Sequence, residues 1–94
     1  MKVIENFVIN HGTQTFRING YIDTLSVLWN DSTKGVTACC LKEENVETVC
    51  NVEFRVIVSY ELWKGSTTFR QYTYKGSVYQ PILRKMFHIF VKIV

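Results

Sequence analysis

Few side chains in this chain have the type and spacing to do chemistry. Histidine occurs at His11 and His88 only, far apart in sequence. There is no His-x-x-x-His and no Cys-x-x-Cys pair, so no zinc site is expected. The cysteines are Cys39, Cys40 and Cys50. Neighbours on a strand point to opposite faces, so Cys39 and Cys40 do not converge on one metal. A short hairpin loop at Glu43-Glu44-Asn45 would bring Cys40 and Cys50 onto one face. There they would form a redox-sensitive pair or a covalent dimer contact, or simply act as two small buried hydrophobes.

Acid–base chemistry needs a carboxylate or histidine in a shielded setting. Glu47, Glu53 and Glu61 alternate with polar neighbours and read as solvated. Asp23 differs, because a strand over its segment puts Tyr21, Leu25, Val27 and Trp29 on its own side. A carboxylate on an apolar face is costly unless paired. Asp23 is therefore either a site residue, or a rim residue paired with Arg17 or a nearby threonine. No Gly-rich phosphate loop and no serine in a nucleophile elbow accompany it. The expectation is a protein without catalytic residues, cofactor or metal.

The strongest surface constellation rests on Lys64-Gly65. A two-residue hairpin loop there would pair Glu61 with Thr68, Ser59 with Arg70, Ile57 with Tyr72 and Arg55 with Tyr74. Arg55, Arg70, Tyr72 and Tyr74 would then share one face, with Trp63 near the hairpin end. Arginine interleaved with aromatics can stack on bases. The same residue types dominate protein–protein hot spots. These five are the candidate binding residues. The alternative is a second packed layer under the C-terminal segment.

The elements that must position them are strands. Twelve Val, eight Ile and nine Thr make 29 of 94 residues β-branched. Such side chains fit a pleated surface better than a helix. Turn residues punctuate the chain regularly. They separate expected strands at Val3–Asn10, Thr13–Ile18, Tyr21–Trp29 and Val36–Lys42. Asn19-Gly20 has the composition of a type I′ hairpin turn. From Val46 to Trp63 the even positions are largely apolar and the odd ones mostly polar, a period of two. A strand of that length must bend, bulge or reach beyond its domain. Ser66–Tyr74 follows as another strand, ended by Lys75-Gly76.

In the last segment Arg84, Lys85, His88 and Lys92 fall within an arc of about 100° on a helical wheel. A C-terminal amphipathic helix packed on the sheet is expected there, although Ile89, Val91, Ile93 and Val94 favour a strand. The fold class is mainly antiparallel β, about six strands in hairpins, completed as α+β by that helix. An all-β barrel or sandwich is the alternative.

Length and charge bound the rest. Ninety-four residues make one domain. A hydrophobic fraction of 47% excludes disorder. The net charge of +3 permits an anionic partner without demanding one. No apolar run approaches the roughly 20 residues of a membrane span, and MKVIENFVIN has no signal-peptide core. A cytoplasmic protein with reduced thiols and no membrane association is expected. Ala and Pro occur once each, whereas Asn, Ile, Lys and Tyr are frequent, which matches AT-rich coding. These features favour a small non-enzymatic binding protein that occludes a protein partner, as a virus- or phage-encoded inhibitor would. A nucleic-acid or nucleotide-binding β module is the alternative. The long amphipathic strand also suggests a homodimer.

Overall fold

The structure is a computed structural model that describes residues 1–10, 12–58 and 71–94. Its strands are β1 (Lys2–Ile9), β2 (Gly12–Asn19), β3 (Tyr21–Asn30), β4 (Gly35–Glu43), β5 (Val49–Val58), β6 (Thr73–Gln80) and β7 (Lys85–Ile93). They form a three-stranded sheet ordered β1-β4-β3 and a four-stranded sheet ordered β2-β5-β7-β6, with every pairing antiparallel. Both sheets turn one face to a common core. Ile9, Val36, Ala38 and Cys40 come from the first sheet. Ile18, Val52, Phe54, Val56, Val78, Ile89 and Val91 come from the second. Phe7 on β1 and Phe16 on β2 meet at 5.2 Å between ring centroids, and Phe16 meets Phe54 at 5.7 Å, so an aromatic chain joins the two layers.

The period-two reading of β5 holds. Val52, Phe54, Val56 and Val58 are all buried. The described strand is ten residues long, and Ser59 to Trp63 of the expected long strand lie outside the described residues.

The expected C-terminal helix does not form. Residues Lys85–Ile93 are strand β7, inserted between β5 and β6. Phe87, Ile89 and Val91 are buried while His88, Phe90 and Lys92 are half-buried on the other side, which is strand periodicity. The helical-wheel stripe arose because Arg84 and Lys85 sit at a turn while His88 and Lys92 lie two turns of pleat apart on one face. Pro81 begins the β6–β7 turn, where its fixed φ is an advantage. The β-branched tail outweighed the wheel because stiff side chains pack between two flanking strands.

Sheet assignment also corrects the hairpins. Among the described strands, the consecutive pairs that bond within one sheet are β3–β4 and β6–β7. Asn19-Gly20 therefore joins different sheets instead of closing a hairpin. Only Gly20 there takes positive φ, +69°. Its amide donates to the Thr48 carbonyl at 2.8 Å and its carbonyl accepts from the Glu43 amide at 2.8 Å. A Cβ on Gly20 would lie 2.2 Å from the Glu43 carbonyl oxygen, so this corner admits glycine alone. Likewise β4 and β5 lie in different sheets, so Cys40 and Cys50 are not hairpin neighbours; both are free thiols, as is Cys39. Lys75-Gly76 does not end a strand either. It forms a bulge within β6, with Gly76 at φ +140° against Val27.

Candidate binding site

The outer face of the four-stranded sheet gathers the candidate residues, through a different pairing from the one expected. β5 pairs with β7, and β7 with β6. Arg55 is opposite Phe90, and Phe90 is opposite Tyr74. One step along, Ile57 is opposite His88 and His88 opposite Ser77. In the other direction Glu53 is opposite Lys92. The expected Arg55–Tyr74 and Ile57–Tyr72 partnerships are thus replaced, because β7 takes the position that a direct β5–β6 hairpin would need. Arg55, Tyr72 and Tyr74 still share the face. Trp63 and Arg70, with the Lys64-Gly65 turn, lie outside the described residues.

Glu53 organises one side of this face. The Tyr72 hydroxyl donates to its Oε2, and Lys92 Nζ approaches the same oxygen at 3.6 Å. Lys92 Nζ also lies 4.8 Å from the centroid of the Tyr72 ring, within the range of a cation–π contact. Burial, then the bond to Glu53, raises the Tyr72 hydroxyl above its ordinary pKa, so it stays a protonated donor at neutral pH. Glu53 is therefore a bonded anchor and not the solvated residue expected from alternation. On the other side, Tyr74 lies 5.4 Å from Phe90 and 6.5 Å from His88 between ring centroids. Its hydroxyl bonds Ser77 Oγ, which meets His88 Nδ1 at 2.6 Å. Ile57, expected on the exposed patch, is 2% exposed.

Asp23 resolves differently. It sits at a bulge in β3 and reaches across to β6, where Lys75 Nζ donates to Oδ1 at 2.5 Å. The Thr24 amide donates to the same oxygen at 2.8 Å. Lys75 is thus the partner, in place of Arg17 or a threonine hydroxyl. Chiefly through its bond to Lys75, the carboxyl titrates below its ordinary value. The bonds from Lys75 on β6 and from the Thr24 amide make Asp23 a clamp between the two sheets. A cleft of about 230 Å³ lies beside it, lined by Tyr21, Thr73, Lys75 and Lys92 among others. Among the described residues no cluster of three His, Cys, Asp or Glu side chains could hold a metal ion.

Sequence reasoning leaves Phe90 out of the candidate face and puts His88 and Lys92 on the polar stripe of a helix, because it favours a helix over this segment. The signal was present: Met86 to Val94 alternates as a strand, and its odd-strand register sets Phe87, Ile89 and Val91 against these three. Comparison with known protein families, with curated protein sequences and with solved structures finds no match for this chain.

Proposed function

We propose that this is a small non-enzymatic binding module that acts by occluding a protein partner with the outer face of its four-stranded sheet. The observation that carries this reading is the row Arg55–Phe90–Tyr74, flanked by Tyr72, Lys92 and His88. Aromatic and arginine side chains held on rigid strands lose little freedom on binding, which is how hot spots contribute most of an interface's affinity. Sheet pairing and the Glu53 network hold these groups in place before any partner arrives. A virus- or phage-encoded inhibitor is the form that composition favours. The free cysteines suit a reducing, cytoplasmic setting.

Interleaved aromatics and cations favour nucleic acid as the second reading. Glu53 weighs against it, since it neutralises Lys92 beside the central row of the face. Phosphate tracking requires cations free to replace counterions. Salt separates the two. Affinity for a protein partner should fall less than about tenfold between 50 and 200 mM salt, because exposed rim charges contribute modestly. A single-stranded oligothymidine that binds tightly and loses roughly a thousandfold over that range would overturn the protein reading.

A further inference from the structure

The β6–β7 turn is built from unusual residues. Pro81, Ile82, Leu83 and Arg84 connect the strands, with the Leu83 amide donating to Gln80 Oε1 at 2.6 Å and Arg84 at φ +51°. Pro81 is an ordinary turn residue, but Gly, Asn, Asp or Ser would ordinarily follow it where Ile82 and Leu83 stand. Here Ile82 is 68% exposed and Leu83 56% exposed. Tyr79 and Met86, paired one step behind the turn, are exposed as well. Leu83 also lines a cavity of about 160 Å³ at this end of the two sheets, with Trp29, Phe87 and Lys34.

Charge is the second observation. All eight acidic residues lie at or before Glu61, and the chain beyond it carries six cations and no acid. Arg84 and Lys85 follow the apolar pair directly. Lys34, in the neighbouring β3–β4 turn, adds a third cation at the cavity rim. Among the described residues no carboxylate pairs with Lys34, Arg84 or Lys85. The acid of that neighbouring turn, Asp31, accepts the Trp29 indole N–H at 2.8 Å.

We propose that the Pro81–Arg84 tip is a peripheral anchor for an anionic lipid surface. Ile82 and Leu83 enter the boundary between headgroups and acyl chains, while Lys34, Arg84 and Lys85 meet the headgroup charges. Stable anchoring of this kind needs an apolar signal and a basic one together, and the tip supplies both. Long cationic side chains can reach headgroup charge while a neighbouring aliphatic pair sits deeper. The expectation of no membrane rested on the lack of a spanning segment. No helix among the described residues is long and apolar enough to cross a membrane, and a surface anchor needs none. The proposal does not depend on the aromatic face.

The test is cosedimentation of the full chain with large vesicles of phosphatidylcholine, alone or with about 30 mol % phosphatidylserine. The chain should sediment with the anionic vesicles, and at least about tenfold more weakly with the neutral ones. Ile82→Asp should weaken vesicle binding by about tenfold or more while leaving the melting temperature unchanged, since the side chain is mostly outside the fold. Arg84→Gln combined with Lys85→Gln should weaken it similarly, and Tyr74→Ala should leave it intact. No sedimentation with either vesicle, equal sedimentation with both, or parent-like binding by Ile82→Asp would overturn the proposal. So would loss of a protein partner in Ile82→Asp when the parent ignores vesicles, because the tip would then dock on protein.

Discussion

On the outer face of the three-stranded sheet, Val8, Thr37 and Leu28 form one row, and Ile4 pairs with Leu41 in another. On the outer face of the four-stranded sheet the corresponding central row is Arg55, Phe90 and Tyr74. Both faces alternate with the same core and differ in what their side chains do to one another. The first sets aliphatic side chains on either side of a row of Asn6, Cys39 and Ser26, and Thr37 within it is 4% exposed with a hydroxyl that has no hydrogen-bond partner among the described residues. The second is tied together by Glu53, Tyr72, Lys92, Ser77 and His88. Strand periodicity decides which residues face outward. Only the choice of residue makes one face a pre-positioned set of aromatic and cationic groups.

The core beneath both faces gives the largest expected effect. Phe54→Ala should cost about 3–5 kcal/mol, the range for truncating a buried core aromatic. Chemical denaturation checks this, and a loss below about 1 kcal/mol would mean that β5 does not turn its even positions inward. Tyr72→Ala should cost about 1 kcal/mol, because it removes a charge-assisted bond to Glu53 and the ring under Lys92. For a domain of this size that is a fall of roughly 4–8 °C in Tm. Thr37→Val sharpens the contrast with the opposite sign. Removing an unsatisfied buried hydroxyl should raise stability by up to about 1 kcal/mol, whereas removing the bonded Tyr72 hydroxyl lowers it.

The clamp between the sheets predicts a pH effect. Asp23 has a lowered pKa in the fold, so its contribution is fully present above its unfolded pKa of about 4. That contribution is lost as pH falls through the lower folded value. Asp23→Asn should therefore be slightly less stable than the parent at neutral pH, by less than about 1 kcal/mol, since the pair is partly exposed. The difference should vanish in strong acid, and thermal melts from strongly acidic to neutral pH would show it. A difference that grows on acidification would contradict the clamp. The expected homodimer can be checked by sedimentation, where a species of 11 kDa alone would remove it. The described part of β5 is paired along both edges, so a second copy would have to meet another edge or a face.

Much of this architecture can be read from residue pattern. The buried face of β5 and the strand content follow from alternation and β-branched composition, which are local. Asn30 Oδ1 accepts the Ser32 and Thr33 amides at 2.9 and 3.2 Å, as a turn-forming asparagine should. What failed was non-local. Whether Asn19-Gly20 closes a hairpin or turns a corner depends on Thr48 and Glu43, which are distant in sequence. The Met86–Val94 segment carries both a helical stripe and strand alternation, and only the vacancy between β5 and β6 selects the strand. Arg55 and Tyr74 share a face although they are not partners, because alternation turns both outward with Phe90 of β7 between them. Glu53 was read as solvated since its partners come from β6 and β7.

We propose that the aromatic face of the four-stranded sheet, and not the face of the three-stranded one, recognises the partner. Tyr74→Ala and Leu28→Ala each trim an exposed side chain, one on each face; Tyr74→Ala also gives up the contacts with Ser77, Phe90 and His88, so both variants are compared well below their melting temperatures. The deciding measurement is quantitative affinity capture from the native cell lysate with the parent and these two variants, read by mass spectrometry. The expected result is a protein recovered equally by the parent and Leu28→Ala and depleted about tenfold or more with Tyr74→Ala, which corresponds to a loss of about 1.4 kcal/mol or more. Equal recovery by all three, or loss with Leu28→Ala alone, would contradict it.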